Sequence, residues 1–113
     1  ELAFGDKYAI FQDERLRECD YGRMTQTKKD WDLSNYIETS YPGGESYQDV
    51  EARIKEFLDF IGKEHEGEKI AVLAHQAPQL ALEVLTEGKS WKQAIDEDWR
   101  EIGEWQPGWK YEL

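Results

Sequence analysis

Cysteine occurs once in the 113 residues, at Cys19, so the chain can close no internal disulfide. Basic residues are scarce: 14 Lys and Arg stand against 25 Asp and Glu, and the net charge of −11 repels nucleic acid and anionic membrane surfaces. No apolar run approaches the ~20 residues needed to cross a bilayer. No Gly-x-Ser-x-Gly elbow is present, which leaves a Ser-His-Asp triad without support. Histidine is nearly as rare as cysteine: His65 and His75, with Cys19, offer no zinc-type ligand spacing, and only the many carboxylates leave room for a loosely held cation. A secretory signal is missing as well, and together these absences predict a reducing, cytoplasmic setting. The chain opens on Glu1 rather than Met, a start that we read as truncation or processing.

What is present argues for a packed domain. Five Trp, six Tyr and four Phe outweigh the disorder-prone signal of a 35% charged content. The length suits one domain spanning residues 1–113, modest for a sheet covered on both faces. The run Ile70-Ala71-Val72-Leu73-Ala74 has no polar alternation and predicts a strand over 69–74 buried on both faces, as in a parallel sheet covered by helices. The loop leaving such a strand is where ligands bind, and His75 stands there.

Tyr8-Ala9-Ile10-Phe11 predicts a further strand near residues 7–11. Residues 20–44 read as a long excursion with short helical pieces, punctuated by Tyr41-Pro42-Gly43-Gly44. Its one adjacent basic pair, Lys28-Lys29, is a candidate for attracting an anion. The clearest helix follows. Ser46 and Asp49 form a capping box, Val50, Ile54, Phe57, Leu58 and Ile61 share one face, and Gly62 is the expected terminator. A second helix over about 77–86 carries Pro78 in its opening turn and ends at Gly88. A third begins at Ser90 and carries Trp91, Ala94, Ile95, Trp99 and Ile102 at helical spacing, stopped by Gly103. Trp109, Tyr111 and Leu113 alternate as in a strand with one buried face.

Two residues stand out for chemistry. His75 lies at a strand end against a helix N-terminus, whose free N–H groups make a pocket for phosphate or a similar anion. Glu18, in Arg15-Leu16-Arg17-Glu18-Cys19-Asp20-Tyr21-Gly22, is flanked by arginines and closed by a glycine turn, a setting suited to a proton donor. His65 falls in the charged turn Lys63-Glu64-His65-Glu66-Gly67-Glu68 and carries no functional expectation.

Three blocks in order, Arg15 to Gly22, Pro42-Gly43-Gly44-Glu45-Ser46-Tyr47, and Ala71-Val72-Leu73-Ala74-His75-Gln76-Ala77, resemble the histidine phosphatase superfamily, the phosphoglycerate mutase-like enzymes. The resemblance covers roughly residues 8–88. It implies an α/β three-layer sandwich with a mostly parallel sheet covered by helices, here incomplete at the N-terminus. It further implies cleavage of a phosphate monoester through a phosphohistidine, with no metal or other cofactor. His75 corresponds to the second pocket histidine, contacting the phosphoryl oxygens. Glu18 corresponds to the proton donor to the leaving group. Gln76 corresponds to a substrate-binding residue that faces the phosphate. The family's Arg-His-Gly nucleophile motif is absent from the sequence, and this chain alone is therefore expected to be inactive.

Two readings follow. In the first, the chain is the carboxyl-terminal portion of a histidine phosphatase acting on a small phosphorylated metabolite, with its amino-terminal part removed, disordered or on another chain. Phosphatase is favoured over mutase because no bisphosphate pocket is signalled. In the second, it is a non-catalytic phosphatase-like fragment or interaction module that binds its own N-terminal segment or a second copy through exposed sheet edges.

Overall fold

The computed structural model describes residues 11–24, 33–98 and 111, and within them the chain is helical. Helix α1 spans Tyr47–Glu64, α2 spans Gln76–Glu87 and α3 spans Trp91–Asp96. Short 3-10 turns at Glu14–Leu16, Gly22–Met24 and Leu33–Tyr36 bring the preceding chain across them.

The capping box forms at α1 as the sequence leads one to expect: Asp49 N donates to Ser46 Oγ at 3.2 Å and Ser46 N to Asp49 Oδ2 at 2.9 Å. Its apolar stripe is buried, with Val50 and Ile54 fully enclosed and Phe57 and Ile61 nearly so. The helix does not stop at Gly62. It runs on to Glu64 and is capped by His65, whose N–H reaches Ile61 O at 2.9 Å. Helix α2 ends at Gly88, which takes the left-handed conformation (φ 73°) that a glycine adopts without strain. Helix α3 is shorter than its sequence stripe predicts, ending at Asp96 with Glu97 as cap; Trp99, Ile102 and Gly103 lie outside the described residues. One core joins the three helices: Val50 and Ile54 of α1, Leu80 and Ala81 of α2, and Trp91, Ala94 and Ile95 of α3. Trp91 ties α3 back to α1 through Nε1, which donates to Glu51 Oε1 at 2.7 Å.

The expected parallel sheet, and with it the three-layer sandwich, is not found: the described residues contain no strand. Residues 69–74 are non-helical and solvent-exposed, with Leu73 at 86%, Ile70 at 45% and Val72 at 37%. An apolar run becomes a doubly buried strand only when neighbouring strands supply hydrogen bonds and helices cover its faces. Among the described residues no strand lies beside this run, and its large apolar side chains stay exposed. Of the expected first strand, residues 7–10 lie outside the described residues, and Phe11 is 80% exposed and in no strand. Of the last, only Tyr111 is described, again in no strand. The excursion over 20–44 does carry short helical pieces, while Lys28 and Lys29 lie outside the described residues.

Two of the motif blocks meet backbone to backbone. Arg23 N donates to Pro42 O at 2.8 Å and Glu45 N to Asp20 O at 2.7 Å. The approach is close enough that a Cβ on Gly44 would fall 2.1 Å from Asp20 O. At Gly22, where φ is also +56°, it would fall 2.2 Å from Pro42 O. Around this junction Tyr41 stacks on Tyr36 with ring centroids 3.9 Å apart and meets Tyr21 edge-on at 5.0 Å. Its hydroxyl lies 2.6 Å from that of Tyr47 in the first turn of α1.

Two alanine substitutions separate this close approach from ordinary glycine flexibility. Gly44→Ala is expected to lower stability by about 2–3 kcal/mol, since a backbone carbonyl blocks the new methyl. Gly62→Ala, in the last turn of α1 with nothing near the added Cβ, is expected to raise it by about 0.5 kcal/mol. Urea unfolding midpoints of the two variants measure both.

Candidate active site

The segment bearing Glu18 is held by Arg53 of α1. Arg53 is 8% exposed, and all five of its N–H donors find acceptors. Nε and Nη2 grip the Glu45 carboxylate at 3.1 and 3.0 Å. Nη1 donates to Arg15 O at 2.7 Å and Arg17 O at 2.8 Å, and Nη2 also to Glu18 O at 3.1 Å. Glu45 completes the clamp by accepting from Asp20 N at 2.9 Å. Burial alone pushes the Glu45 carboxyl upward, but the hydrogen bonds from Arg53 and Asp20 N outweigh it and hold the pKa below its usual 4.5.

From this clamped backbone the Glu18 side chain reaches α2. Its Oε1 accepts from Ala77 N at 3.0 Å and from Cys19 N at 2.8 Å. Ala77 is the second residue of α2, and the residue capping that helix is His75. A carboxylate at this position is favoured by the partial positive charge of the helix N-terminus. His75 is in extended backbone, is exposed, and makes no side-chain cap hydrogen bond. Gln76, the first residue of the helix, turns its amide to Asp98, with Nε2 donating to Oδ2 at 2.7 Å. The structure thus brings Glu18 to the first turn of α2, two residues along from His75, and pairs Gln76 with a residue past α3.

The donors of that turn can be followed one by one. Gln79 N bonds His75 O at 3.1 Å, Pro78 has no N–H, and Ala77 N is taken by Glu18. Gln76 N makes no hydrogen bond to a described residue and is the donor left for an incoming anion.

The neighbours of Glu18 are not nucleophiles. Burial, then the charges of Glu45 and Glu18, push the Cys19 thiol up to about 12, so it stays protonated at neutral pH. Burial and the Glu18 carboxylate likewise push the Tyr21 phenol well above its usual 10. Among the described residues no group of His, Cys, Asp and Glu is arranged to hold a metal ion, and no helix is long and apolar enough to cross a membrane. His65 lies at the end of α1, half-buried rather than fully solvated, with Nδ1 2.7 Å from Glu68 Oε1.

Sequence reasoning missed Arg53, the role of Glu45, and Asp98. A signal was present for two of them. Arg53 falls three residues from Val50 and four from Phe57, and Asp98 falls three from Ile95 and four from Ala94, so both occupy the register of an apolar stripe. A charged group in such a place must have a partner.

A family model described as the histidine phosphatase superfamily (branch 1) matches residues 1–98. Phosphoserine phosphatase 1 of Hydrogenobacter thermophilus (strain DSM 6534 / IAM 12695 / TK-6) is 26% identical over 93 residues, which take in 73% of this chain and 44% of that protein. The chain therefore spans less than half the length of this curated relative. No solved structure matches it.

Replacing Arg53 by Met strands Glu45 and three carbonyls, and is expected to cost about 3–5 kcal/mol in urea unfolding. Arg53→Lys, with three donors on one nitrogen, recovers only part of this. The Glu45 contribution depends on pH with a definite sign. Because its folded pKa is depressed, the stability is fully present above the ordinary value of 4.5 and is lost as pH falls through the folded value. The stability gap between the parent and Glu45→Gln is thus expected to be constant from neutral pH to about 5.5 and to close below about 4.5.

Proposed function

We propose that this chain, which belongs to the histidine phosphatase superfamily, supplies the proton-donating and phosphate-contacting half of a phosphomonoester hydrolase that works through a phosphohistidine. The observation that carries the reading is the hydrogen bond from Ala77 N to Glu18 Oε1, which puts a carboxyl group on the first turn of the helix that His75 caps. The sequence has no Arg-His-Gly, so the attacking histidine comes from outside these 113 residues, and the segment alone is inactive.

In the proposed reaction that histidine attacks phosphorus, and the bond from phosphorus to the ester oxygen breaks. The electron pair stays on the departing oxygen, which takes a proton from Glu18. Both hydrogen bonds to Glu18 use Oε1, which leaves Oε2 to carry that proton. Water then attacks the phosphohistidine, Glu18 takes back a proton from it, and the phosphorus–nitrogen bond breaks to release phosphate. His75 and the Gln76 N–H face the charge on the phosphoryl oxygens, where donors act most strongly in the transition state. Hydrolysis is favoured over mutase transfer because no second phosphate site is signalled. The substrate is a small phosphorylated metabolite, and the name of the curated relative makes phosphoserine the first compound to try.

One observation favours a second reading, a non-catalytic interaction module: Ile70, Val72 and Leu73 are exposed in sequence, an apolar stretch without a covering layer.

The test uses the full-length protein that contains this segment. His75→Ala is expected to lower kcat by about 10²–10³-fold. Glu18→Gln is expected to lower it by about 10²-fold on phosphoserine but by much less on p-nitrophenyl phosphate, whose leaving group departs without a proton. Unchanged rates in both variants overturn the assigned roles. A parent inactive on both substrates supports the interaction module.

A further inference from the structure

Asp98 stands just past α3, where its N–H closes the last turn on Ile95 O at 3.3 Å. It is 5% exposed. A carboxylate so far from water is costly unless it accepts hydrogen bonds, and Asp98 Oδ2 accepts from Gln76 Nε2 at 2.7 Å. Glu97 next to it is the C-cap of α3, so the position of Asp98 is set by a helix end rather than by a free loop. An ionised carboxylate can only accept, which decides the orientation of the amide: the NH2 side of Gln76 must face Asp98. One N–H of Nε2 is then engaged, and the other makes no hydrogen bond to a described residue. Gln76 is itself only half-buried, adjacent to His75 and beside the N–H that Glu18 occupies.

We propose that Asp98 is a positioning residue, which holds the Gln76 amide so that its second N–H meets a phosphoryl oxygen at the first turn of α2. The assignment rests on the reading of Gln76 as a phosphate contact given above. Without Asp98 the glutamine side chain has several rotatable bonds and a freely flipping amide, and it must be ordered and turned nitrogen-first each time an anion binds. Asp98 removes that ambiguity before substrate arrives, so the effect falls on binding and not on the chemical step.

The experiment is a double-mutant cycle in the full-length protein, read as KM and kcat on p-nitrophenyl phosphate and as Kd for inorganic phosphate. Asp98→Leu is expected to raise KM and Kd about tenfold with kcat within about twofold. Asp98→Asn, which keeps an accepting oxygen, recovers most of the loss. In a Gln76→Ala background Asp98→Leu adds nothing, because the side chain it acts through is gone. Equal losses in both backgrounds mark Asp98 as a purely structural residue and overturn the proposal. Should Asp98→Leu fail to fold, the parent still decides the matter: phosphate is expected to shift the side-chain amide resonances of Gln76, and no shift at saturation overturns it. The two readings fail separately. A parent that binds phosphate with a shifted Gln76 amide and hydrolyses no monoester overturns the phosphatase reading alone. An active parent with an additive cycle overturns the role of Asp98 alone, and a parent that neither binds nor hydrolyses overturns both.

Discussion

A single guanidinium sets the geometry of the segment that carries Glu18. Arg53 enters from the buried face of α1, and its planar fork matches the Glu45 carboxylate with two bonds while the remaining donors take the carbonyls of Arg15, Arg17 and Glu18. Lysine cannot do this, because the three carbonyls and the carboxylate lie around a plane and not around a point. The charge itself is not a large source of net stability, since a buried ion pair loses in desolvation much of what it gains in attraction. What it supplies is placement. The backbone over 15–18 has no regular secondary structure beyond one short 3-10 turn at Glu14–Leu16, and a side chain from a helix stands in for the hydrogen bonds that a sheet or helix otherwise provides.

The clamp acts on two motif blocks at once, because Glu45 belongs to one and the three carbonyls to the other. Their union is then sealed by glycine: Gly22 and Gly44 allow the backbones to touch where any Cβ would collide. The tyrosines around the junction fill the space beside it, with Tyr41 and Tyr47 fully buried and joined at their hydroxyls. Burial raises the Tyr41 phenol to about 12, so the pair stays neutral and hydrogen-bonded across the physiological range. A rigid junction of this kind matters because Glu18 follows at once from it, and error in the backbone there is carried straight to its carboxyl group.

Local rules were legible in the sequence and long-range ones were not. The capping box at Ser46 and the left-handed Gly88 depend only on residues within a turn, and both form as read. Gly62 is no stop because a glycine ends a helix only where the backbone turns to the left-handed region, and here the chain stays helical through it. The strand over 69–74 failed for a different reason. Apolar character shows a preference for burial but not what does the burying, and Ile70, Val72 and Leu73 remain exposed. Arg53 and Asp98 escape a pattern built on apolar residues alone, although these polar residues in the same register carry the placement of Glu18 and Gln76.

In the proposed chemistry, the first turn of α2 must serve the phosphoryl group and the carboxyl group of Glu18, which becomes a second anion once it has given its proton to the leaving oxygen. Their separation follows from which donor each takes. Glu18 occupies Ala77 N, proline removes the next donor, and Gln79 N closes the helix on His75 O, so Gln76 N is the one backbone donor of the turn left for the phosphoryl group, beside the Gln76 amide and the ring of His75. The two groups therefore lie side by side on neighbouring residues instead of competing for one site. A proton donor to an ester oxygen needs that arrangement, since the oxygen it protonates is bonded to the phosphorus whose other oxygens are being held. Pro78 is part of this logic: a residue with an N–H at that position offers a third donor and a second place for the phosphoryl group to settle, out of line with Glu18.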